Sequence, residues 1–312
     1  MSQVTLTING QKVTVPAGST VLDAARLLGL EIPTLCYDPM LSKPGACRMC
    51  IVEIPGMRNL PASCVTPVAE GMVVETHSEA VVEARKTIIE LLLANHPNDC
   101  LTCERSGDCK LQQYAYEYGV REVGIQGEFH QYEIDESNPY ILRDMNKCIL
   151  CGKCVRVCAE IKGENVIDFA YRGFNTKIAP ALDTKLAESA CVYCNNCVSV
   201  CPVGALVDRR LAGKGRTWEV EQEPIICTFC EAGCNFNLLK KDGKVVGVAA
   251  AKAAPGRPMC LKGRLGLELI HNPNAAPAYL KKDGEFVEVP WAEALGLEGI
   301  LAKLLEKGQK AE

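Results

Sequence analysis

Residues 148–158 read CILCGKCVRVC, and residues 191–202 read CVYCNNCVSVCP. In each stretch, three cysteines are separated from one another by two residues, and a fourth follows after three more. The chain has 19 cysteines in 312 residues, an odd number that fits paired disulfides poorly. Because the N-terminus shows no export signal, such a cysteine content predicts metal sites in a reducing compartment.

The spacing of the two stretches is that of bacterial ferredoxins with two 4Fe–4S clusters. In that pattern three cysteines bind one cluster and the fourth reaches the other cluster. The spacing therefore predicts two crossed ligand sets: Cys148, Cys151, Cys154 and Cys201 for one cluster, and Cys191, Cys194, Cys197 and Cys158 for the other. Zinc ribbons also use paired cysteines, but this repeated triple spacing suits zinc poorly.

The N-terminal cysteines follow a sequence that predicts a β-grasp sheet. Alternating residues around Asn9 and Gly10 predict a hairpin, and a helix capped by Ser19 or Thr20 should end at Gly29. We predict a 2Fe–2S cluster on the four cysteines beyond this helix: Cys36, Cys47, Cys50 and Cys64. Ten residues separate Cys36 from Cys47, whereas plant-type ferredoxins have four residues between their first two cysteines. A zinc knuckle is therefore kept as the alternative.

A second group has only three cysteines: Cys100, Cys103 and Cys109. Thr76 and Glu79 predict a capping box for a helix that ends near Asn95 and places His96 four residues before the first of these cysteines. The helix should bury an apolar stripe: Val81, Ala84, Ile88, Leu91 and Leu92. We predict that His96 is the fourth metal ligand of this group, whereas the other histidines lie outside the cysteine groups and have ordinary roles.

A fifth set follows near the C-terminus: Cys227, Cys230, Cys234 and Cys260. A hairpin around Asp242 and Gly243 should return the chain toward the last of these cysteines. Zinc is again an alternative. With His96, the 19 cysteines complete five sets of four ligands, which supports metal in general, and only the spacings select iron–sulfur.

These patterns predict an α+β fold built from five modules. They are a β-grasp 2Fe–2S ferredoxin domain (1–78), a helical module with a His- and Cys-ligated 4Fe–4S cluster (79–140), a bacterial two-cluster ferredoxin domain (141–212), a small 4Fe–4S β module (213–285) and a helical tail (286–312). Gly213 and Gly215 indicate a linker. The tail helix should start near Trp291 and dock on its own module or on a partner through an apolar stripe: Leu297, Ile300, Leu301, Leu304 and Leu305.

The order of these modules over roughly residues 1–295 resembles three iron–sulfur regions. They are the N-terminal region of NAD-linked formate dehydrogenase α-subunits, the large peripheral iron–sulfur subunit of respiratory complex I, and the accessory-cluster region of iron-only hydrogenases. The resemblance implies one 2Fe–2S cluster and four 4Fe–4S clusters. The Cys227 set is similar to the site that opens a molybdopterin catalytic domain, and Cys260 to Arg264 resemble its end, where Lys262 would carry electrons between cluster and pterin.

Other features bound the function. The net charge of −4 argues against a nucleic-acid binder, and the longest apolar stretches are too short for a membrane span. Only 52 residues follow Cys260, so we expect the chain to stop where a pterin domain would begin. No Gly-x-Gly-x-x-Gly or Gly-x4-Gly-Lys-Ser/Thr motif is present, so any nicotinamide or flavin site should belong to another polypeptide.

We therefore expect a cytoplasmic electron-transfer subunit with no active site of its own. It would link a flavin- and NAD(P)-binding subunit, and a further iron–sulfur subunit, to ferredoxin or to a formate dehydrogenase or hydrogenase subunit. An electron-bifurcating complex is one form that this arrangement can take. The alternatives are a fragment of a molybdopterin formate dehydrogenase α-subunit and a zinc-stapled interaction scaffold.

Overall fold

The computed structural model of the chain describes residues 2–125, 127–251, 259–272, 277–296 and 298–299. Seven α-helices and twelve β-strands lie within these ranges, with four 3-10 helices and one π-helical turn between them. The strands form five small sheets of two or three strands each. The mixture of helices and small sheets agrees with the predicted α+β composition.

The first module is a three-stranded sheet covered by a helix. Strands β1 (Gln3–Ile8) and β2 (Gln11–Pro16) are antiparallel, and β3 (Val73–Val74) adds to β1 in parallel. Asn9 and Gly10 have φ values of 48° and 78°, as the predicted Asn-Gly hairpin requires. Helix α1 (Val21–Leu27) begins with a capping box between Thr20 and Asp23, so the predicted hairpin and helix are both confirmed.

The second module contains α2 (Glu79–Ala94) and α3 (Lys110–Glu117). Helix α2 ends at the predicted position, but its N-cap is Ser78, whose Oγ accepts a hydrogen bond from Val81 N at 3.4 Å. The predicted capping box at Thr76 is therefore wrong. The Thr76 side chain is instead hydrogen-bonded to Asn9 Nδ2 at 2.8 Å, because β1 and the approach to α2 lie side by side.

The buried face of α2 also differs from the predicted stripe. Its buried residues are Val81, Arg85 and Ile89, whereas Leu91 is 55% exposed. The Arg85 guanidinium donates to Ile51 O at 2.7 Å and to the Tyr118 hydroxyl at 2.8 Å. Ile51 and Tyr118 lie in different modules. Their hydrogen bonds with the Arg85 side chain turn a different face of α2 inward from the one that apolar periodicity alone predicts.

The central domain repeats one short motif twice. Strand β4 (Ile141–Arg143) pairs with β7 (Leu206–Asp208), and β5 (Ile167–Ala170) pairs with β6 (Lys177–Pro180). Each cysteine triplet leads into a short helix: α4 (Lys153–Arg156), which continues as the π-helical turn Val157–Lys162, and α5 (Asn196–Val200). The 3-10 helices of the domain and its approach span four segments: Met145–Lys147, Gly173–Asn175, Ala181–Asp183 and Leu186–Glu188.

The C-terminal part begins with a sheet of three strands. Strands β8 (Glu221–Ile226), β9 (Asn235–Lys241) and β10 (Lys244–Ala250) are antiparallel, and the predicted hairpin at Asp242 and Gly243 joins the last two. Helix α6 (Leu261–His271) starts directly after Cys260.

A hairpin and a short helix complete the described chain. Strand β11 (Ala278–Lys282) pairs with β12 (Glu285–Val289), and α7 (Trp291–Ala294) follows. The predicted tail helix thus begins at Trp291. All five residues of its predicted apolar stripe, from Leu297 to Leu305, lie outside the described residues.

The predicted linker is held in place. Gly213 N donates to a Glu104 carboxylate oxygen at 3.1 Å, and Arg216 donates to the carbonyl oxygens of Cys103 and Leu101 at 2.6 and 2.8 Å. These carbonyl and carboxylate acceptors are distant in sequence, and they hold the segment against the second module.

The longest described helix, α2, has 16 residues. Within the described ranges, no helix has the length and hydropathy that crossing a membrane requires.

Candidate iron–sulfur sites

The four N-terminal cysteines converge beside the three-stranded sheet of the first module. The backbone N–H groups of Cys36 and Cys47 each donate to the sulfur of the other residue at 3.4 Å. A hydrogen bond from the Cys47 side chain lowers the pKa of Cys36 to about 6, and one from Cys64 lowers the pKa of Cys50 to about 6. Both shifts favour the thiolate, which is the form that binds iron.

Small residues beside this group allow its backbone to approach the sulfurs. The backbone N–H of Ala46 also contributes to lowering the pKa of Cys36. Gly45 has φ +63°, and a Cβ there would lie 3.1 Å from a Val65 methyl. Backbone N–H groups that point at sulfur stabilise an iron–sulfur cluster and tune its potential.

His96 follows α2, two residues beyond the last helical residue, and is buried with 7% exposure. Its Nδ1 accepts a hydrogen bond from Asn98 N at 3.3 Å, and its Nε2 is buried without a hydrogen-bond partner. Burial is the main cause that lowers the pKa of His96, so the ring is neutral. A neutral imidazole with an unpartnered nitrogen is the form that ligates a metal.

The three cysteines that follow His96 lie close to one another. Cys103 interacts electrostatically with both Cys100 and Cys109. Both His96 and Cys103 interact electrostatically with Lys147, which forms a salt bridge to Asp99 at 2.9 Å. A Cβ at Gly204 would lie 2.7 Å from Cys103 Sγ, so only glycine leaves room for this sulfur.

The eight central cysteines separate into two groups that cross between the sequence stretches. Cys201 interacts with three cysteines of the first stretch: Cys148, Cys151 and Cys154. Cys158 interacts with three cysteines of the second stretch: Cys191, Cys194 and Cys197. These interactions are in keeping with the crossed ligand sets, which stay a prediction.

Each group has backbone donors at its sulfurs. Leu150 N donates to Cys148 Sγ, and Tyr193 N donates to Cys191 Sγ, both at 3.4 Å. Val166 N donates to Cys158 Sγ at the same distance. Burial raises the pKa of Cys148 and Cys191 to about 12 each, so binding of a metal cation must displace their protons.

The last group forms around the start of α6. Gly263 N donates to Cys260 Sγ at 3.3 Å, and a Cβ at Gly263 would lie 3.1 Å from Cys227 Sγ and 3.6 Å from Cys260 Sγ. Cys227 N donates to Cys234 O at 2.8 Å. Cys230 is exposed. A Cβ at Gly296 would lie 3.1 Å from Lys262 Nζ, which places this amine beside the segment that follows α7.

All 19 cysteines are free thiols. Among the described residues, no three His, Cys, Asp or Glu side chains are close enough together to hold a single metal ion. The donors present are thiols with backbone N–H groups nearby and one orphan imidazole nitrogen, and this chemistry fits iron–sulfur clusters.

Sequence reasoning did not single out the side chains that join these groups. Arg156 stands in the gap between Cys154 and Cys158, and Asp208 ends β7. Their partners lie far away in the sequence, so no local motif identifies them. The only sequence signal is charge inside a buried cysteine-rich region.

Four family models match successive parts of the chain. They are a 2Fe-2S iron-sulfur cluster binding domain (residues 1–79), the NADH-ubiquinone oxidoreductase-G iron-sulfur binding region (85–124), the NADH-quinone oxidoreductase subunit 3 ferredoxin-like domain (138–207) and the molybdopterin oxidoreductase Fe4S4 domain (222–272).

Similar proteins include three bacterial subunits. The NADP-reducing hydrogenase subunit HndD of Solidesulfovibrio fructosivorans is 39% identical over 92% of this chain and 50% of its own length. The alpha subunit of the NADPH-Fe(3+) oxidoreductase of Geobacter sulfurreducens is 36% identical over 99% of this chain and 36% of its own length. NADH-quinone oxidoreductase subunit 3 of Thermus thermophilus is 34% identical over 93% and 41%. The chain thus spans a third to a half of these relatives.

A solved structure is also similar. A chain in the crystal structure of an NAD+-reducing [NiFe]-hydrogenase in the H2-reduced state matches with a TM-score of 0.64 and 34% identity. The match covers 68% of this chain and 90% of that chain.

The fold and the matched domains define a multi-domain iron–sulfur protein with 2Fe–2S and 4Fe–4S binding domains. The chain belongs to the family that comprises the large iron–sulfur subunits of NADH-quinone oxidoreductases and the related hydrogenase and NADPH-linked oxidoreductase subunits, as the sequence resemblance indicated.

Proposed function

We propose that this chain is an iron–sulfur relay of a multi-subunit NAD(P)-linked oxidoreductase. It passes electrons between a flavin- and NAD(P)-binding subunit and either ferredoxin or a formate dehydrogenase or hydrogenase subunit. The observation that carries the proposal is that the Cys36 group and the module of His96 both contact one ligand group of the central domain, which in turn contacts the other central group. A protein that only needed metal staples would have no reason to bring its metal sites together.

The contacts run from the first group to the last of the central domain. Arg156 lies between the loops of Cys36 and Cys151. Arg105, in the module of His96, donates to Cys201 O at 3.0 Å. The two central groups interact through Cys154 and Cys197. Iron–sulfur clusters on these groups would supply one-electron transfer, and the chain sets their potentials through ligand type, hydrogen bonds and burial.

We assign one 2Fe–2S cluster to the Cys36 group and one 4Fe–4S cluster to each of the other four groups, with His96 as the single imidazole ligand. The module boundaries that we propose are those predicted from the sequence. The free state of the cysteines supports a reducing cytoplasmic location. The similarity to hydrogenase and NADPH-linked subunits supports a flavin-containing partner, and electron bifurcation is the form that would use two acceptors.

Metal content tests the assignment. Anaerobically purified protein should contain about 18 Fe per chain, because a 2Fe–2S and four 4Fe–4S clusters are assigned. About 14 Fe together with one zinc would show that one 4Fe–4S assignment is wrong, and the Cys227 group would be the first to re-examine. Zinc without iron would establish the scaffold alternative.

The His96 ligand has its own test. His96→Ala should make one 4Fe–4S cluster labile, and His96→Cys should restore it at a lower potential because a thiolate adds negative charge. His77→Ala is the matched control, since His77 lies outside every cysteine group. An unchanged EPR spectrum and iron content in His96→Ala would show that His96 is only a helix-end residue.

A second candidate is favoured by the match of residues 222–272 to the molybdopterin oxidoreductase Fe4S4 domain. In this alternative the chain is the electron-transfer part of a molybdopterin formate dehydrogenase α-subunit, and Lys262 carries electrons from the Cys227 cluster to the pterin. Molybdenum or tungsten with pterin in the native protein would establish it. In a relay without pterin, Cys230→Ser should stop electron flow to one partner while NAD(P)H still reduces the flavin.

A further inference from the structure

One helical face of the central domain is turned toward the first module. Lys153, Arg156 and Glu160 are spaced three and four residues apart along α4 and the π-helical turn, so they lie on one side. Each of them contacts the segment from Cys36 to Ser42. Lys153 Nζ lies 3.4 Å from an Asp38 carboxylate oxygen, and Glu160 accepts from Ser42 N at 2.8 Å and from Ser42 Oγ at 2.5 Å.

Arg156 stands in the middle of this face and is partly buried. Its Nη1 donates to Ser42 O at 2.5 Å, and its Nη2 donates to Cys36 O at 2.6 Å and to Cys151 O at 3.3 Å. A single nitrogen atom therefore bonds to the carbonyl groups of two proposed ligand residues that belong to different clusters.

The hydrogen bonds of Arg156 also place a positive charge between the two loops. The guanidinium carries this charge, and it bonds to both Cys36 O and Cys151 O. The planar guanidinium has five donors in a fixed fork, which lets it hold several carbonyl groups at once. A lysine would carry the same charge on one compact ammonium group and could not reproduce that fork.

We propose that Arg156 is a positioning residue for electron transfer between the 2Fe–2S cluster of the Cys36 group and the 4Fe–4S cluster of the group that contains Cys151: its guanidinium holds the Cys36 loop against the Cys151 loop and keeps a positive charge between the two ligand groups. The inference rests on the proposed function and adds to it a residue that binds no iron. Two consequences follow. Docking of the first module depends on the several hydrogen bonds that the Arg156 guanidinium donates, and the potential of the 2Fe–2S cluster depends on its positive charge.

Two substitutions separate the donor geometry of the guanidinium from its charge. Arg156→Lys keeps the charge but loses the planar set of donors, and Arg156→Gln loses both. Arg172→Gln is the matched control, because Arg172 is an exposed arginine of the same domain. Each variant is made in the full chain, and its iron content is compared with that of the unmodified protein to detect misfolding.

Two measurements are made on each variant. The first is hydrogen exchange at the Ser42 amide, which is bonded to Glu160 across the same interface. Local opening of the interface exposes this amide, so its exchange reports docking. The second is the midpoint potential of the 2Fe–2S cluster, measured by EPR-monitored redox titration.

We expect Ser42 exchange to be about tenfold faster in both Arg156 variants, the factor that corresponds to the loss of about one hydrogen bond. We expect the 2Fe–2S potential to fall in Arg156→Gln and to stay near the original value in Arg156→Lys. The Arg172→Gln control should change neither quantity.

Unchanged Ser42 exchange in both variants would overturn the positioning role, whatever happens to the potential. An equal potential in Arg156→Gln and in the unmodified protein would overturn the role of the charge. Absence of a 2Fe–2S signal from the unmodified protein would instead refute the proposed function. Hydrogen exchange at Ser42 does not require a cluster, so in that case it would still test whether Arg156 holds the two loops together.

Discussion

The central domain is held to its two neighbours by different chemistry. On the N-terminal side, partly exposed groups such as Arg156 and Glu160 bond mainly to backbone carbonyl groups and a serine. On the C-terminal side, Arg264 pairs with Asp208, and Arg210 Nε lies 2.8 Å from Glu268 Oε2. The two arginines are 1% and 3% exposed there.

This difference changes what each interface can tolerate. A buried charge needs a partner, because water cannot compensate for a partner that is lost. A partly exposed group can exchange a lost hydrogen bond for one with water, so the cost is smaller. We therefore expect single substitutions at the C-terminal interface to cause large losses of stability. Single substitutions at the N-terminal interface should cause smaller ones.

The largest effect should come from breaking a buried pair. Asp208→Leu leaves Arg264 charged and without its carboxylate, and we expect a loss of about 3–5 kcal/mol in stability. Chemical denaturation, followed by hydrogen exchange in β7 and α6, measures this loss. The double variant Asp208→Leu, Arg264→Met should recover most of it, and a double variant as unstable as the single one would contradict the interpretation.

A smaller effect is expected on the N-terminal side. Ser42→Ala removes the hydroxyl that donates to the Glu160 carboxylate and should weaken docking by about 1 kcal/mol. Amide exchange around Ser42 gives the change. Ser42→Thr keeps a hydroxyl and should stay close to the original protein. Equal loosening by both substitutions would show that side-chain size, not the hydrogen bond, matters.

The carboxyl groups of the two interfaces should titrate in opposite directions. Burial raises the pKa of Asp208 above its ordinary value of 3.8, despite the opposing charges of Arg264 and Arg210. Burial is also the largest single cause at Glu160 and raises its pKa, but the two Ser42 hydrogen bonds and the charge of Arg156 together outweigh it and leave the pKa below 4.5.

The sign of the stability effect follows from these shifts. Glu160 stabilises the fold above pH 4.5, and its contribution is lost as the pH falls through its lowered folded-state pKa. Because its pKa is raised, Asp208 binds a proton at a higher pH in the folded state than in the unfolded state. Its contribution to stability therefore increases as the pH falls toward 3.8. Carboxyl 13C NMR of labelled, oxidised protein, assigned with Glu160→Gln and Asp208→Asn, measures both. Depressed pKa values at both sites would remove the contrast.

The smallest effect should come from an exposed ion pair near the N-terminal interface. Lys43 Nζ lies 3.0 Å from Asp23 Oδ2, with side chains 35% and 36% exposed. Lys43→Ala should cost about 0.2–1 kcal/mol, and added salt should reduce the difference. Denaturation at low and high salt measures it. A loss as large as that of Asp208→Leu would show that burial is not what separates the two regions.

The cysteine spacing alone predicts crossed ligand sets in the central domain, and the electrostatic interactions of Cys158 with the second stretch are in keeping with that prediction. The turns at Asn9-Gly10 and Asp242-Gly243 and the end of α2 were also predictable. All of these depend on residues within a few positions of one another, because turn conformations and loop closure around a ligand group are local.

Tertiary structure decided the features whose partners are distant in sequence. Arg85 is buried and Leu91 exposed because Ile51 and Tyr118 accept hydrogen bonds from the arginine. Ser78 caps α2 because Thr76 is bonded to Asn9. The 213–216 segment is fixed by carbonyl groups near Cys103. Arg156 bonds across 114 and 120 residues of sequence to Ser42 and Cys36. Such partners come together only when the modules dock, so no local pattern could reveal them.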